Sequence, residues 1–254
     1  MLNFATETAR EAGNLLVQKL GVAKVSTKGD INLVTEADIA AENLIIERIR
    51  SYYPQHGILA EESGEAELIG GKRSEWKWII DPLDGTTNYA HGYPCFCVSI
   101  ALERKGQLEI GVVYDPMRDE MFAAERGRGA TLNDRKIRVS SVEQLSGSML
   151  CTGFPYNVRE RPDFASGFTK FTMNAQAVRR DGSAALDLAY VACGRFDGFW
   201  EDGLSPWDVA AGALLITEAR GRITNFKDEP VDIYNEQVLA SNGLIHEAMM
   251  GVLD

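Results

Sequence analysis

The stretch Trp78-Ile79-Ile80-Asp81-Pro82-Leu83-Asp84-Gly85-Thr86-Thr87-Asn88 holds the residue types best suited to chemistry in this sequence. An apolar strand is predicted to end at Asp81, then turn through proline and glycine into a short helix. Two carboxylates three residues apart at such a turn can face one pocket. Ligands that are all oxygen suit a hard cation such as magnesium rather than zinc. Gly85 lets the backbone come close to a ligand, and the N–H groups of Gly85 and Thr86 at a helix start form a ready phosphate site. Taken alone, the stretch has an ordinary solvated turn as its competing reading, the weaker of the two. Two further clusters change that balance. Leu59-Ala60-Glu61-Glu62-Ser63 places acids at the end of another short strand, and Pro206-Trp207-Asp208 places one in the first turn of a small, apolar helix. Asp208 by itself is accounted for by the helix dipole. Acids at three element ends are better explained by one shared metal site.

Composition supports a bound cation. The 254 residues carry a formal net charge of -11, with 45% hydrophobic and 25% charged residues. That is ordinary globular composition, and the acidity argues against nucleic-acid binding, which needs a basic face. An acidic protein that handles anionic substrates must neutralise them, and a bound cation is the simplest device. Cys95, Cys97, Cys151 and Cys193 match no zinc spacing and read as small hydrophobes in a reducing compartment. The histidines, His56, His91 and His246, suggest no ligand pair. With no leader-like opening and no membrane-length apolar run, a cytoplasmic location is expected.

The elements that must position these acids follow from periodicity. Apolar residues at Leu2, Ala5, Ala9, Ala12, Leu16 and Leu20 predict an amphipathic helix. Ser26 to Asn32 reads as a mobile loop. Thr35 is the predicted N-cap of a second helix running to about Tyr52, with Asp38 at its capping-box position. Gly57 to Ala60 and Trp76 to Ile80 read as strands, separated by an exposed loop over Ser63 to Glu75. A meander of antiparallel strands is expected from Cys95 to Val139. Elements then mix over Met149–Gly153, Arg161–Asn174, Ser183–Cys193, Phe196–Glu201, Pro206–Glu218 and Leu244–Leu253. This order implies stacked layers of helix and sheet, as one compact unit with halves 1–145 and 146–254.

The motifs Trp78 to Asn88 and Trp207 to Gly212 closely resemble those of the inositol monophosphatase family, lithium-sensitive, magnesium-dependent phosphatases. Leu33 to Asp38, Ala60 to Ser63, Gly111 to Pro116, Gly182 to Ala185 and Ser241 to Gly243 extend the resemblance over nearly the whole chain. It implies an α+β fold, a layered α-β-α-β-α sandwich of the sugar phosphatase type, and a homodimer. It also implies two or three magnesium ions and direct attack by metal-activated water. On that resemblance Glu61, Asp81 and the Leu83 carbonyl hold a first ion, and Asp81, Asp84 and Asp208 a second. Thr86, steadied by Asp38, orients the water together with Glu61. Gly85 and Thr86 donate N–H groups to the phosphate, on which Asp84 also borders, while Ser183, Ala184 and Glu201 contact the polyol. Ala60 stands where the family usually has glycine, and Asn133-Asp134 where it often has Asn-Gly.

The expected activity is hydrolysis of inositol monophosphate or a related small sugar or polyol phosphate. Fructose 1,6-bisphosphate and histidinol phosphate are alternative substrates in the same fold. A catalytically silent binding or regulatory protein is the reading from another class. It fits poorly with Glu61, Asp81, Asp84, Thr86 and Asp208 all being present.

Overall fold

The computed structural model describes residues 1–28, 32–66, 74–154 and 162–253. In chain order its elements are α1 (Leu2–Lys19), β1 (Val25–Lys28), β2 (Asn32–Thr35), α2 (Glu36–Tyr52), β3 (Gly57–Ala60), β4 (Gly64–Ala66), β5 (Trp76–Asp84) and α3 (Thr86–Ala90). Next come β6 (Cys97–Arg104), β7 (Gln107–Asp115), β8 (Glu120–Glu125), β9 (Gly129–Leu132), β10 (Arg135–Lys136), β11 (Met149–Thr152), α4 (Pro162–Asn174) and β12 (Ala177–Arg179). The chain ends with α5 (Ala184–Ala192), β13 (Gly198–Asp202), α6 (Pro206–Glu218), β14 (Arg222–Thr224), β15 (Gln237–Ser241) and α7 (His246–Leu253).

Strands β3 to β10 form an eight-stranded sheet and β11 to β15 a five-stranded one. Strand alternation assigns the layers, because successive side chains leave a strand on opposite faces. Trp78, Ile80, Ile100, Leu102 and Val112 join Ala5, Ala9, Ala12 and Leu16 of α1 and Ala41, Ile45 and Ile49 of α2 in one core. Their neighbours Ile79, Ala101 and Val113 face the other way, onto Leu186, Leu188 and Val191 of α5 and Ala211, Leu214 and Leu215 of α6. Phe199, Val238 and Ala240 close that core from the second sheet. Leu150, Trp200 and Leu239 point to its far face, where they meet Phe171 of α4 and Met249 of α7. The result is the α-β-α-β-α sandwich expected from the sequence. Each fully buried aliphatic or aromatic side chain stabilises such a core by about 1.5–3 kcal/mol.

Three local features differ from the sequence reading. Ser26 to Asn32, read as a loop, lies largely in an antiparallel pair joining β1 to β2, with Val25 opposite Thr35; residues 29–31 fall outside the described set. A polar stretch lacks the apolar alternation that marks a strand, yet a ladder of backbone hydrogen bonds holds this one. The predicted loop over 63–75 opens with strand β4, paired to β3, and 67–73 are not among the described residues. Strands β12, β14 and β15 had no expectation attached. The element read over Arg161–Asn174 is a helix, described from Pro162 onward.

Close packing fixes the helix that carries Asp208. A Cβ on Gly111 of β7 would lie 2.6 Å from the Ala211 carbonyl oxygen of α6, and one on Gly212 would lie 2.5 Å from Leu188 of α5. Gly111 lets α6 settle directly onto the large sheet, and Gly212 lets it pack closely against α5. Its first turn is held there by Ser99 Oγ, which donates to the Trp207 carbonyl at 3.1 Å. Ser99 stands opposite Asp81 in the β5–β6 ladder.

Candidate active site

Residues three apart on a regular strand point to opposite faces. Asp81 and Asp84 escape that rule because β5 continues past Ile80 and is irregular between them: Asp81 pairs with Ser99 and Asp84 with Cys97. The extra residue is a bulge, which tolerates Pro82 and turns both carboxylates to one side. The Asp81 Oδ1 accepts the Leu83 N–H at 2.9 Å and pins the turn. Gly85 then takes φ 95°, and a Cβ there would sit 2.9 Å from the Cys95 carbonyl oxygen. Both conditions demand glycine. Gly85→Ala is accordingly expected to lower stability by about 2 kcal/mol or more, measured by thermal unfolding; an unchanged melting temperature would show that the turn is not so constrained.

Two helix caps bring in further acids. Asp208 is the third residue of α6, after Ser205 at its N-cap and Pro206, and its Oδ2 accepts the Ser205 N–H at 2.7 Å. Asp38 occupies the same position in α2. Its Oδ2 accepts from the Thr35 N–H at 2.9 Å and the Thr35 hydroxyl at 2.5 Å, while Thr35 Oγ1 accepts from Ala37 N–H at 3.1 Å. The capping box read from the sequence is present. The other Asp38 oxygen, Oδ1, lies 3.1 Å from Thr86 Oγ1, which is also 3.1 Å from the Leu83 carbonyl oxygen.

Asp81, Asp84 and Asp208 each offer an oxygen within 4.8 Å of the others. Glu61, just past β3, lines the same cavity, with Leu83, Gly85 and Thr86. Burial, then the charges of Glu61, Asp84 and Asp208, push Asp81 well above the usual carboxylate range. Burial and Asp208 raise Glu61 to about 8. Burial and Asp84 raise Asp208 to about 7. Asp84 is raised by burial, against donation from Ser183, Ala185, Ala184 and Cys97. Among the described residues, no basic group figures in the largest influences on these four acids. An all-oxygen, uncompensated cluster of this kind fits a hard divalent cation.

A second cavity shares Asp84, Gly85, Thr86 and Asp208 with the first and extends to Gly153, Arg180, Ser183, Ala184 and Glu201. Ser183, read from the resemblance as a polyol contact, donates its hydroxyl to Asp84 Oδ2 at 2.5 Å. The Ala185 N–H reaches the same oxygen at 2.8 Å, so the start of α5 orients Asp84. Ala184 is half-buried beside it. Glu201 lies on β13, and a Cβ on Gly153 would meet its carboxylate at 2.2 Å. The sequence places Gly153 and Ser205 only within segments that fold over the site, Cys151 to Arg161 and Glu201 to Ser205, and assigns Asp187 no role. Asp187 alone had a visible signal, a single acid in the otherwise uncharged helix Ala184–Ala192.

The chain matches the family model described as the inositol monophosphatase family over residues 1–253. It is 45% identical to the Nus factor SuhB of Pseudomonas aeruginosa, across 98% of this chain and 94% of that protein. It is 46% identical to an inositol-1-monophosphatase of Synechocystis sp., across 99% and 88%. The solved structure of inositol monophosphatase from Anabaena (Nostoc) sp. superposes with a TM-score of 0.90 at 50% identity, covering 99% of this chain and 94% of that one.

Proposed function

Since the chain belongs to the inositol monophosphatase family, we propose that it is a magnesium-dependent phosphomonoesterase acting on inositol monophosphate or a related small polyol phosphate. The observation that carries this reading is the convergence of Asp81, Asp84 and Asp208, with Glu61 in the same cavity. The carboxylates of Glu61, Asp81, Asp84 and Asp208 and the Leu83 carbonyl would hold the ions. When bound, magnesium supplies charge to the transferring phosphoryl group and acidifies water.

The chain's own groups do the positioning. Asp38, fixed by the N-cap of α2, accepts the hydrogen bond that the Thr86 hydroxyl donates, which leaves an oxygen lone pair of Thr86 free to accept from the attacking water. Glu61 faces the same cavity and takes the second proton of that water. The backbone N–H groups of Gly85 and Thr86 receive the phosphate by direct hydrogen bonding. The helix they open spans only Thr86–Ala90, so its dipole adds little. Ser183 acts through Asp84, while Ala184 and Glu201 border the alcohol. Water forms the new bond to phosphorus and keeps one proton, the ester P–O bond breaks, and the leaving oxygen takes a proton from solvent as the alcohol departs, while Glu61 returns its own proton to solvent.

The test is phosphate release from inositol 1-phosphate, fructose 1,6-bisphosphate and histidinol phosphate, with and without magnesium and with added lithium. Release that requires magnesium and falls with lithium is expected, with inositol 1-phosphate ranked first. A folded protein silent on all three would overturn the reading. A homodimer is part of the same proposal and is checked by light scattering. A second reading comes from the Pseudomonas relative, whose name is Nus factor SuhB. An inactive Asp81→Asn variant that still performs such a role in cells would separate the two.

A further inference from the structure

Helix α5 buries nearly everything it carries, and all but Asp187 is uncharged. Asp187 is 1% exposed, yet neither of its carboxylate oxygens has a hydrogen-bond partner among the described residues. A polar group in that condition weakens the fold, and an apolar side chain would serve the helix better. Its surroundings make matters worse. Burial disfavours its charge most, Asp181, Glu201 and Asp84 add to that, and Arg180 opposes them. The same carboxyl lines the cavity that begins at Asp84 and ends at Glu201.

We propose that Asp187 determines specificity in the alcohol pocket, its carboxyl accepting a hydrogen bond from a donor on the far side of the substrate's alcohol. The inference rests on the phosphatase reading and deepens it. It narrows the substrate class to phosphate esters whose alcohol carries a hydroxyl or ammonium group remote from the ester oxygen, and disfavours plain alkyl phosphates. A donor satisfies an acceptor that the fold itself leaves bare, and a site built around a hydrogen bond rejects ligands that lack it far more strongly than an apolar pocket rejects a misfit. A further cation is the poorer occupant, because the described carboxylates that converge tightly are Asp81, Asp84 and Asp208, without Asp187. Glu201 already has the Gly153 N–H as a donor, which leaves Asp187 as the unmet partner.

The experiment compares kcat and KM of the wild type, Asp187→Asn and Asp187→Leu in magnesium. The esters are inositol 1-phosphate (hydroxyl donors), histidinol phosphate (an ammonium donor) and n-propyl phosphate (no remote donor). Asp187→Leu is expected to raise KM about tenfold for the donor-bearing ester that the wild type prefers. Values for n-propyl phosphate should stay unchanged. Asp187→Asn keeps a carbonyl acceptor and should recover part of the loss. Whichever donor arm responds identifies the group recognised. Thermal unfolding of Asp187→Leu should be no lower than wild type; if that variant does not fold, the ranking of esters by Asp187→Asn decides. Equal changes on all three esters, or none, would overturn the role of Asp187 while leaving the phosphatase reading intact. No release by the wild type from any ester would overturn both.

Discussion

Asp81→Asn is expected to lower magnesium-dependent phosphate release by about 10³-fold or more, while the metal-free protein melts at a higher temperature than wild type at mildly alkaline pH. The two halves come from one cause. Asp81 is the most crowded of the four acids, with Glu61, Asp84 and Asp208 all repelling its charge. Asparagine keeps the oxygen that accepts the Leu83 N–H, so the bulge and the turn survive. It removes a charge that a cation needs and that the empty fold does not. A structural residue would behave in the opposite way, losing stability when changed. Wild-type turnover in this variant, measured by phosphate release, would contradict the assignment of Asp81 as a ligand.

The second large effect is linkage between protons, metal and stability. Glu61 and Asp208 rise from ordinary values of 4.5 and 3.8 to about 8 and about 7 in the fold. A carboxyl with a raised folded pKa binds protons more tightly when folded than when unfolded. Its contribution is therefore present in acid and is lost as pH climbs from the unfolded value through the folded one. Metal-free protein should thus lose stability between about pH 4 and about pH 8. Magnesium competes with those protons, so its affinity should increase over the same interval. At a hundred times its dissociation constant a ligand stabilises by about 2.7 kcal/mol. Thermal unfolding at several pH values, in chelator and in magnesium, would show the two curves diverging as pH rises. Curves that stay parallel would mean that the acids do not share a cation.

Much of this site was legible because its acids sit at element ends marked by local chemistry. Thr35 with Asp38 spells a capping box, and Pro206 announces the first turn that carries Asp208. Gly85 announces a tight turn, and the structure gives it a positive φ. The layered fold was legible from the order of its elements, helices and then a meander of strands followed by alternating helices and strands. What stayed hidden depends on partners far away in sequence. The bulge that aligns Asp81 with Asp84 exists only against β6. Ser183 orients Asp84 across 99 residues, a contact that no local spacing encodes. The pairing of β1 with β2 is carried by backbone groups and so leaves no side-chain pattern. Asp187 was visible as a residue, but its isolation is a property of the packed interior.

The most direct measurement is a crystal soaked in manganese at mildly alkaline pH, with an anomalous difference map. Manganese shares the oxygen-ligand preference of magnesium and scatters strongly enough to be located. Peaks bounded by Asp81, Asp84 and Asp208, with Glu61 beside one of them, are the predicted result. A map with no peak among these carboxylates, from crystals whose metal binds elsewhere, would contradict the account.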